Sequence, residues 1–300
     1  MTETGLPWGQ PAVKADGRPA ELGYAAWPNG AKLALYVCVG VEDYRFGEGR
    51  VEDVLEGGPG AAYVNASWRD YGNRVGGFRL LERLRRFGLP PTVLLNTMVY
   101  DTAPDLVKAA RAAGAELVAH GVSNSDSVYG LSRAEEASYI QAVADRMRQE
   151  EGSSALGWSA PWLELNPWSV ELLSAAGFRH LLGLRADDRP VELAGGLLAL
   201  PYGIELNDST TMIGRRVDAH AFARMVLDEL DELLAAAQVE GPLVMNLVLH
   251  TFISGAPFRL HALEAVFERL AALGDRVWLA TAGEIAAHHL SAIHPGMGPR

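Results

Sequence analysis

The sequence predicts an α/β fold, an irregular (β/α) barrel of seven or eight parallel strands. Three observations carry that expectation. Short apolar runs rich in β-branched residues alternate with amphipathic stretches from Lys32 to the C-terminal region, and such alternation builds parallel sheets. Polar residues recur where the apolar runs end, at Glu42 and Asp43, Asn96, His120, Ser159, Glu205 to Asp208, and His250; in a parallel barrel these ends converge on one face. The chain has 300 residues, 49% of them hydrophobic, which is enough for one large core.

Residues 1–23 are rich in Gly, Pro and charge and read as an extended arm, with the barrel domain over 24–300. Trp27-Pro-Asn-Gly30 is a turn, and Lys32 to Val41 is the first strand, ending on Glu42-Asp43. Tyr44 to Tyr71 is a long glycine-containing insertion, and a loop of that length in a compact domain suits a lid or substrate wall. Val75 to Phe87 is an amphipathic helix with Leu80, Leu81, Leu84 and Phe87 on one face. Strand Thr92 to Asn96, helix Asp105 to Ala113 with Gly114 as its stop, and strand Leu117 to His120 follow. Ser132 and Glu135 form a capping box for a helix reaching Glu150. Gly157 to Pro161 is a strand end, and Pro167 sits in the first turn of a helix over Asn166 to Gly177. Phe178 to Leu184 and Leu197 to Tyr202 are strands, and Asp218 to Ala237 is a helix. Pro242 to Leu249 is the most strand-like run and ends on His250. Helix Leu260 to Leu273, strand Val277 to Ala280 and a helix capped by Thr281 and Glu284 complete the chain.

The net charge of −11 is spread without an acidic block, which argues against nucleic acid or an anionic membrane as a partner. Cys38, the single cysteine, lies inside an apolar run and reads as a buried core thiol. Met1 to Trp8 lacks the features of a secretion signal, and no run reaches the roughly 18 apolar residues of a membrane span. A cytoplasmic protein is expected.

Trp27-Pro-Asn-Gly30, Val41-Glu-Asp43, Glu116-Leu-Val-Ala-His120-Gly, Gly157-Trp-Ser-Ala-Pro161-Trp, Tyr202 with Asn207-Asp208, and Leu249-His250 followed by Gly255-Ala-Pro257-Phe-Arg259 occur in this order. This pattern resembles the polysaccharide deacetylases with the NodB homology domain, carbohydrate esterase 4-like, and in particular their allantoinase-like and cytoplasmic deacetylase-like subgroup. The resemblance spans nearly the whole chain. It implies that Glu42 and Asp43 supply a base or a metal ligand, that His120 is a ligand, and that His250 is the acid for the leaving nitrogen. It places Asn124 where a second histidine ligand is expected, so the implied metal set is Asp43, His120 and Asn124, for a divalent ion with zinc as first choice. A carboxamide oxygen is a weak zinc ligand, and a metal-free enzyme stands as the alternative. Ser159-Ala160 occupies the place of an expected arginine. Trp162, Asn207, Asp208 and Arg259 are the expected substrate contacts.

The function implied is hydrolysis of carbon–nitrogen bonds other than peptide bonds, in a small N-acyl, ureide or cyclic amide substrate, by a homo-oligomer. The alternative is a barrel that has lost turnover and serves as a binding or structural protein.

Overall fold

The computed structural model describes residues 26–56 and 59–293; the expected arm at 1–23 lies outside them. Strand β1 (Leu33–Val41) is followed by helices α1 (Pro59–Tyr71) and α2 (Gly77–Arg86). A wide π-type turn over Gly72–Gly76 joins the two helices. The second half of the 44–71 insertion is therefore helical, whereas its glycines suggested irregular chain throughout. Next come β2 (Pro91–Leu95), the one-turn α3 (Val99–Thr102), α4 (Pro104–Ala112) and β3 (Glu116–Ala119). Helix α5 (Arg133–Glu151) starts on the expected capping box, in which Ser132 and Glu135 each accept from the other's backbone N–H. It leads to β4 (Gly157–Ser159), α6 (Ser169–Ala175), β5 (His180–Leu184), the two-residue β6 (Val191–Glu192) and β7 (Leu198–Pro201). Helix α7 (Ala219–Glu240), β8 (Leu243–His250), α8 (Pro257–Ala271), β9 (Val277–Leu279) and α9 (Ala282–Ile293) end the described chain.

The strands hydrogen-bond in the order β6-β7-β5-β4-β3-β2-β1-β8, with β9 pairing the first residues of β1. All these pairings are parallel except β6 with β7. The sheet curls until the segment after β7 reaches the free edge of β8, where the Val248 N–H donates to the Leu206 carbonyl at 2.9 Å. The expected irregular (β/α) barrel is thus present.

Side chains alternate across a strand with a period of two. On β1, Leu33, Leu35, Val37, Val39 and Val41 pack outward under the helices, while Ala34, Tyr36 and Cys38 pack inside the barrel. On β8, Val244 and Val248 are inside and Leu243, Met245, Leu247 and Leu249 outside. Both strands are buried along their whole length, as parallel barrel strands are. Gly40 is the next interior position of β1, and a Cβ there would lie 2.7 Å from Cδ2 of His250. The missing side chain is what makes room for the imidazole. Gly76 serves a similar end in the π-type turn, where a Cβ would meet the Thr251 carbonyl oxygen at 2.2 Å; this close approach holds α1 and α2 against the loop after β8.

Gly40→Ala forces His250 or β1 to move. It is expected to lower stability by about 1–3 kcal/mol, the usual effect of overpacking a filled interior, in urea unfolding followed by circular dichroism. Unchanged stability would show that the interior has slack at this level.

Candidate active site

The alternation that fills the barrel also delivers the polar groups. Glu42 continues the interior series of Ala34, Tyr36, Cys38 and Gly40, one residue beyond the end of β1. His250 follows Val248 on the interior face of β8, and His120 follows Val118 just past β3. Three segments distant in sequence thus place two imidazoles around one carboxylate. Glu42 Oε1 lies 3.3 Å from His250 Nε2 and 3.5 Å from His120 Nε2. All three side chains are buried.

Each group is fixed from behind. The His250 ring presents Nδ1 to Asp208 Oδ1 at 2.5 Å, and the His250 backbone N–H donates to Asp208 Oδ2 at 2.8 Å. Ser254 also donates to Asp208, which is fully buried. His120 Nδ1 lies 2.7 Å from the Ser159 carbonyl oxygen; a carbonyl only accepts, so this nitrogen carries a hydrogen and Nε2 faces Glu42. Tyr44 donates its hydroxyl hydrogen to Glu42 Oε2 at 2.7 Å.

Burial by itself disfavours a charged imidazole, yet the carboxylates of Glu42 and Asp208 outweigh it and hold His250 well above the ordinary imidazole value. For Glu42, burial opposes ionisation, and the imidazoles of His250 and His120 outweigh it and keep the carboxyl well below the usual carboxylate range. Burial and the neighbouring Glu42 charge push the Tyr44 phenol up, so it stays protonated and donates. Both directions favour an imidazolium between two carboxylates as the resting state.

The metal set that the resemblance implies is not assembled. Asp43 follows Glu42 by one residue, so its side chain leaves on the opposite face, where Oδ2 accepts from Thr102 Oγ1 at 2.7 Å. Glu42 alone of the acidic pair touches the histidines. The Asn124 carboxamide accepts from Asn96 Nδ2 at 3.3 Å and donates to the Tyr44 hydroxyl at 3.2 Å. It acts as a strut for Tyr44 rather than as a ligand. No group of three or more His, Cys, Asp or Glu side chains among the described residues is placed to hold a metal ion. The residues present do not fit the ion.

The expected substrate contacts divide. Trp162, held at a left-handed φ of 58°, donates its indole N–H to the Asn124 carbonyl at 2.7 Å and borders the site. Asn207 closes a turn by accepting from the Ser209 N–H at 2.9 Å. Asp208 is a correction: fully buried, it orients His250 and meets no solvent. Arg259 lies in the first turn of α8, donates from Nη1 to the Ile253 carbonyl at 3.4 Å and lines a groove with Asp218, His220 and Phe258, near enough to Asp208 for the two charges to interact. A cleft of about 320 Å³ reaches Glu42 between the 43–46 segment and α1, lined by Tyr44, Tyr63, Arg69 and Asn73 among others. Tyr44 and Glu52, in the irregular half of the insertion, and Arg69, on α1, escaped sequence reasoning, since the irregular half offers no periodicity and α1 no clear apolar stripe.

A peptidoglycan deacetylase of Helicobacter pylori is 26% identical over 149 residues, which are 50% of this chain and 47% of that protein. A Schizosaccharomyces pombe protein assigned as a polysaccharide deacetylase is 25% identical over 319 aligned positions, covering 93% of this chain and 96% of its own. In sequence the chain is similar to proteins named as peptidoglycan and polysaccharide deacetylases. It spans about half the length of the first of them and nearly all of the second. No family model matches it. The crystal structure of an allantoinase superposes with a TM-score of 0.80 at 24% identity, over 97% of this chain and 99% of that one, so the deacetylase-like chain and the allantoinase share a fold.

Since the folded-state value of His250 is raised, its charge contributes stability that is complete below the ordinary imidazole value and lost as pH rises through the raised one. Unfolding free energy of the native chain is therefore expected to fall on the alkaline side. Asp208→Asn should move that fall to lower pH, as read from urea melts across pH. An unmoved fall would assign it to another group.

Proposed function

We propose that this chain hydrolyses carbon–nitrogen bonds other than peptide bonds, in a small N-acyl, ureide or cyclic amide substrate. The observation that carries the reading is the buried relay of Glu42, His250 and Asp208 at the carboxyl end of the barrel. Amide hydrolysis needs a base for the attacking water and an acid for a poor leaving nitrogen. Glu42, as carboxylate, takes the proton of the water, with His120 Nε2 orienting it. His250, as imidazolium, gives its Nε2 proton to the leaving nitrogen, and Asp208 keeps the ring oriented. The two transfers reinforce each other. Once Glu42 has taken the proton of the water, one of the charges that hold the His250 proton is gone and His250 becomes a better acid for the leaving nitrogen.

The deacetylase names of the relatives and the allantoinase name of the structural neighbour support amide hydrolysis. The modest cleft favours a small substrate over a polymer. No helix among the described residues is long and apolar enough to cross a membrane, and the reading includes a cytoplasmic homo-oligomer. Phe46, Val54, Leu55 and Tyr63, exposed on the insertion, support the oligomer through the apolar surface they offer a second copy. A barrel without turnover is the second reading. Asn124 in place of a histidine favours it, whereas the intact proton relay does not.

Turnover is expected to survive dialysis against a chelator and to gain nothing from added zinc, because Asp43 and Asn124 are engaged elsewhere; a strict zinc requirement would overturn that reading. Glu42→Gln and His250→Ala should each lower kcat/KM by about 10²–10⁴-fold in a screen of cyclic amides, ureides and N-acyl sugars, with the circular dichroism spectrum retained. Full activity in both variants would remove the relay from the mechanism.

A further inference from the structure

The groups of the relay are covered. Glu42, His120 and His250 are each no more than 7% exposed, so a substrate gains the base and the acid together only if something moves. The cover is the strap of residues 44–56, which follows β1 and contains neither helix nor strand. Its contacts span the carboxyl face of the barrel. The Arg45 and Arg50 N–H groups donate to Ser125, beyond β3, at Oγ (2.9 Å) and at the carbonyl (3.0 Å), and Glu52 Oε1 accepts from Ser209 Oγ, beyond β7, at 2.7 Å.

The two parts of the strap are held differently. Residues 52–55 are tied to α1: Arg69 Nη1 donates to the Glu52 carbonyl at 2.8 Å and pairs with Asp53, and the Asn65 carboxamide oxygen accepts from the Val54 and Leu55 N–H groups at 3.2 and 3.0 Å. Residues 45–51 rest on the barrel rim. Gly47 and Gly49 there have left-handed φ angles of 76° and 64°, and a Cβ at Gly49 would lie 2.0 Å from the Ser125 carbonyl oxygen, so the chain settles on the rim only with glycine at that place. Arg50 follows. Its guanidinium lies over the Trp162 ring, 4.6 Å from the centroid, and pairs with Glu164. Glu164 is buried, and its Oε2 takes neutral donors, the Ser127 hydroxyl at 2.6 Å and the Val128 N–H at 3.1 Å. A buried carboxylate without a counter-charge is costly, and among the described residues Arg50 supplies that charge.

We propose that residues 45–51 are a lid over the relay and that Arg50 is its latch: the guanidinium seated on Trp162 and Glu164 holds the segment down, and its release uncovers Glu42, His120 and His250. The long insertion expected to serve as a lid or wall is thereby narrowed to one short segment and one side chain. Nearly half of the Arg50 side chain faces solvent, so water and salt compete for it and release costs less than parting a fully buried pair. The ring and the carboxylate stay behind on the barrel as the seat to which it returns. Such a lid gates the site whichever bond the relay breaks.

Amide hydrogen exchange of the full-length protein, read by mass spectrometry, tests the latch. In the wild type, exchange over 45–51 is expected to quicken as salt is raised to about 1 M. Arg50→Ala should exchange there about tenfold or more faster, as for the loss of one charge-assisted hydrogen bond, and should no longer respond to salt, while peptides of β1 and β8 stay as slow as before. Glu164→Gln, which keeps the shape and removes the charge, should match it. Arg50→Lys should fall between, and carries the same contrast if the alanine variant does not fold. The cover is tested with diethyl pyrocarbonate, which modifies neutral imidazoles: His120, located by peptide mass, should react about tenfold faster in Arg50→Ala, in step with the open population, while the exposed His220 and His261 react alike in both proteins. Equal exchange over 45–51 in the wild type and the Arg50 and Glu164 variants would overturn the latch. Faster exchange with no gain in His120 reactivity would overturn the lid.

Discussion

An imidazolium inside a barrel needs counter-charge, and the site is organised by that requirement. His250 lies at the end of a strand buried along its whole length, where an isolated charge would lose its proton. Two carboxylates prevent this. Asp208 comes from the segment after β7 and Glu42 from the end of β1, so the charge balance depends on the curl of the sheet that brings β7 and β1 to either side of β8. Removing either carboxylate leaves the other and the imidazole as a simple pair, with a different resting state. The remaining contacts, Ser254 on Asp208, Tyr44 on Glu42 and Ser159 on His120, fix orientation rather than charge.

Much of this was legible in the sequence, and the reason is the strand period. The apolar runs placed β1, β2, β3, β7 and β8 closely, and His120 and His250 followed as the polar residues at strand ends. The choice between Glu42 and Asp43 was not legible from periodicity, because β1 is apolar on both faces and offers no polar side to count from. The structure settles it by parity: Glu42 shares the face of Cys38 and Gly40, and Asp43 turns away to Thr102. Asp208 looked like a substrate contact by its place after a strand. Its complete burial beneath His250 depends on the third dimension.

The insertion was the opaque part. Its helical half, α1, is announced by neither a cap nor a clear apolar stripe, and Glu52 lies in irregular chain whose position is set by Ser125, Glu164, Ser209 and Arg69. Such contacts leave no trace in local sequence. The same segment supplies Tyr44, which sits where Asn124 can brace it. An asparagine at a place where the resemblance implies a metal-binding histidine thus has a structural use: it supports the phenol that holds the carboxylate.

The protonation state of His250 tests this account most directly. Nitrogen-15 NMR of histidine-labelled protein, with His250→Gln used to assign the resonance, reports whether both ring nitrogens carry hydrogen at neutral pH. The account predicts an imidazolium that persists well above the ordinary imidazole range. A neutral ring at pH 7 would contradict it, because the acid that protonates the leaving nitrogen would then be absent from the resting site.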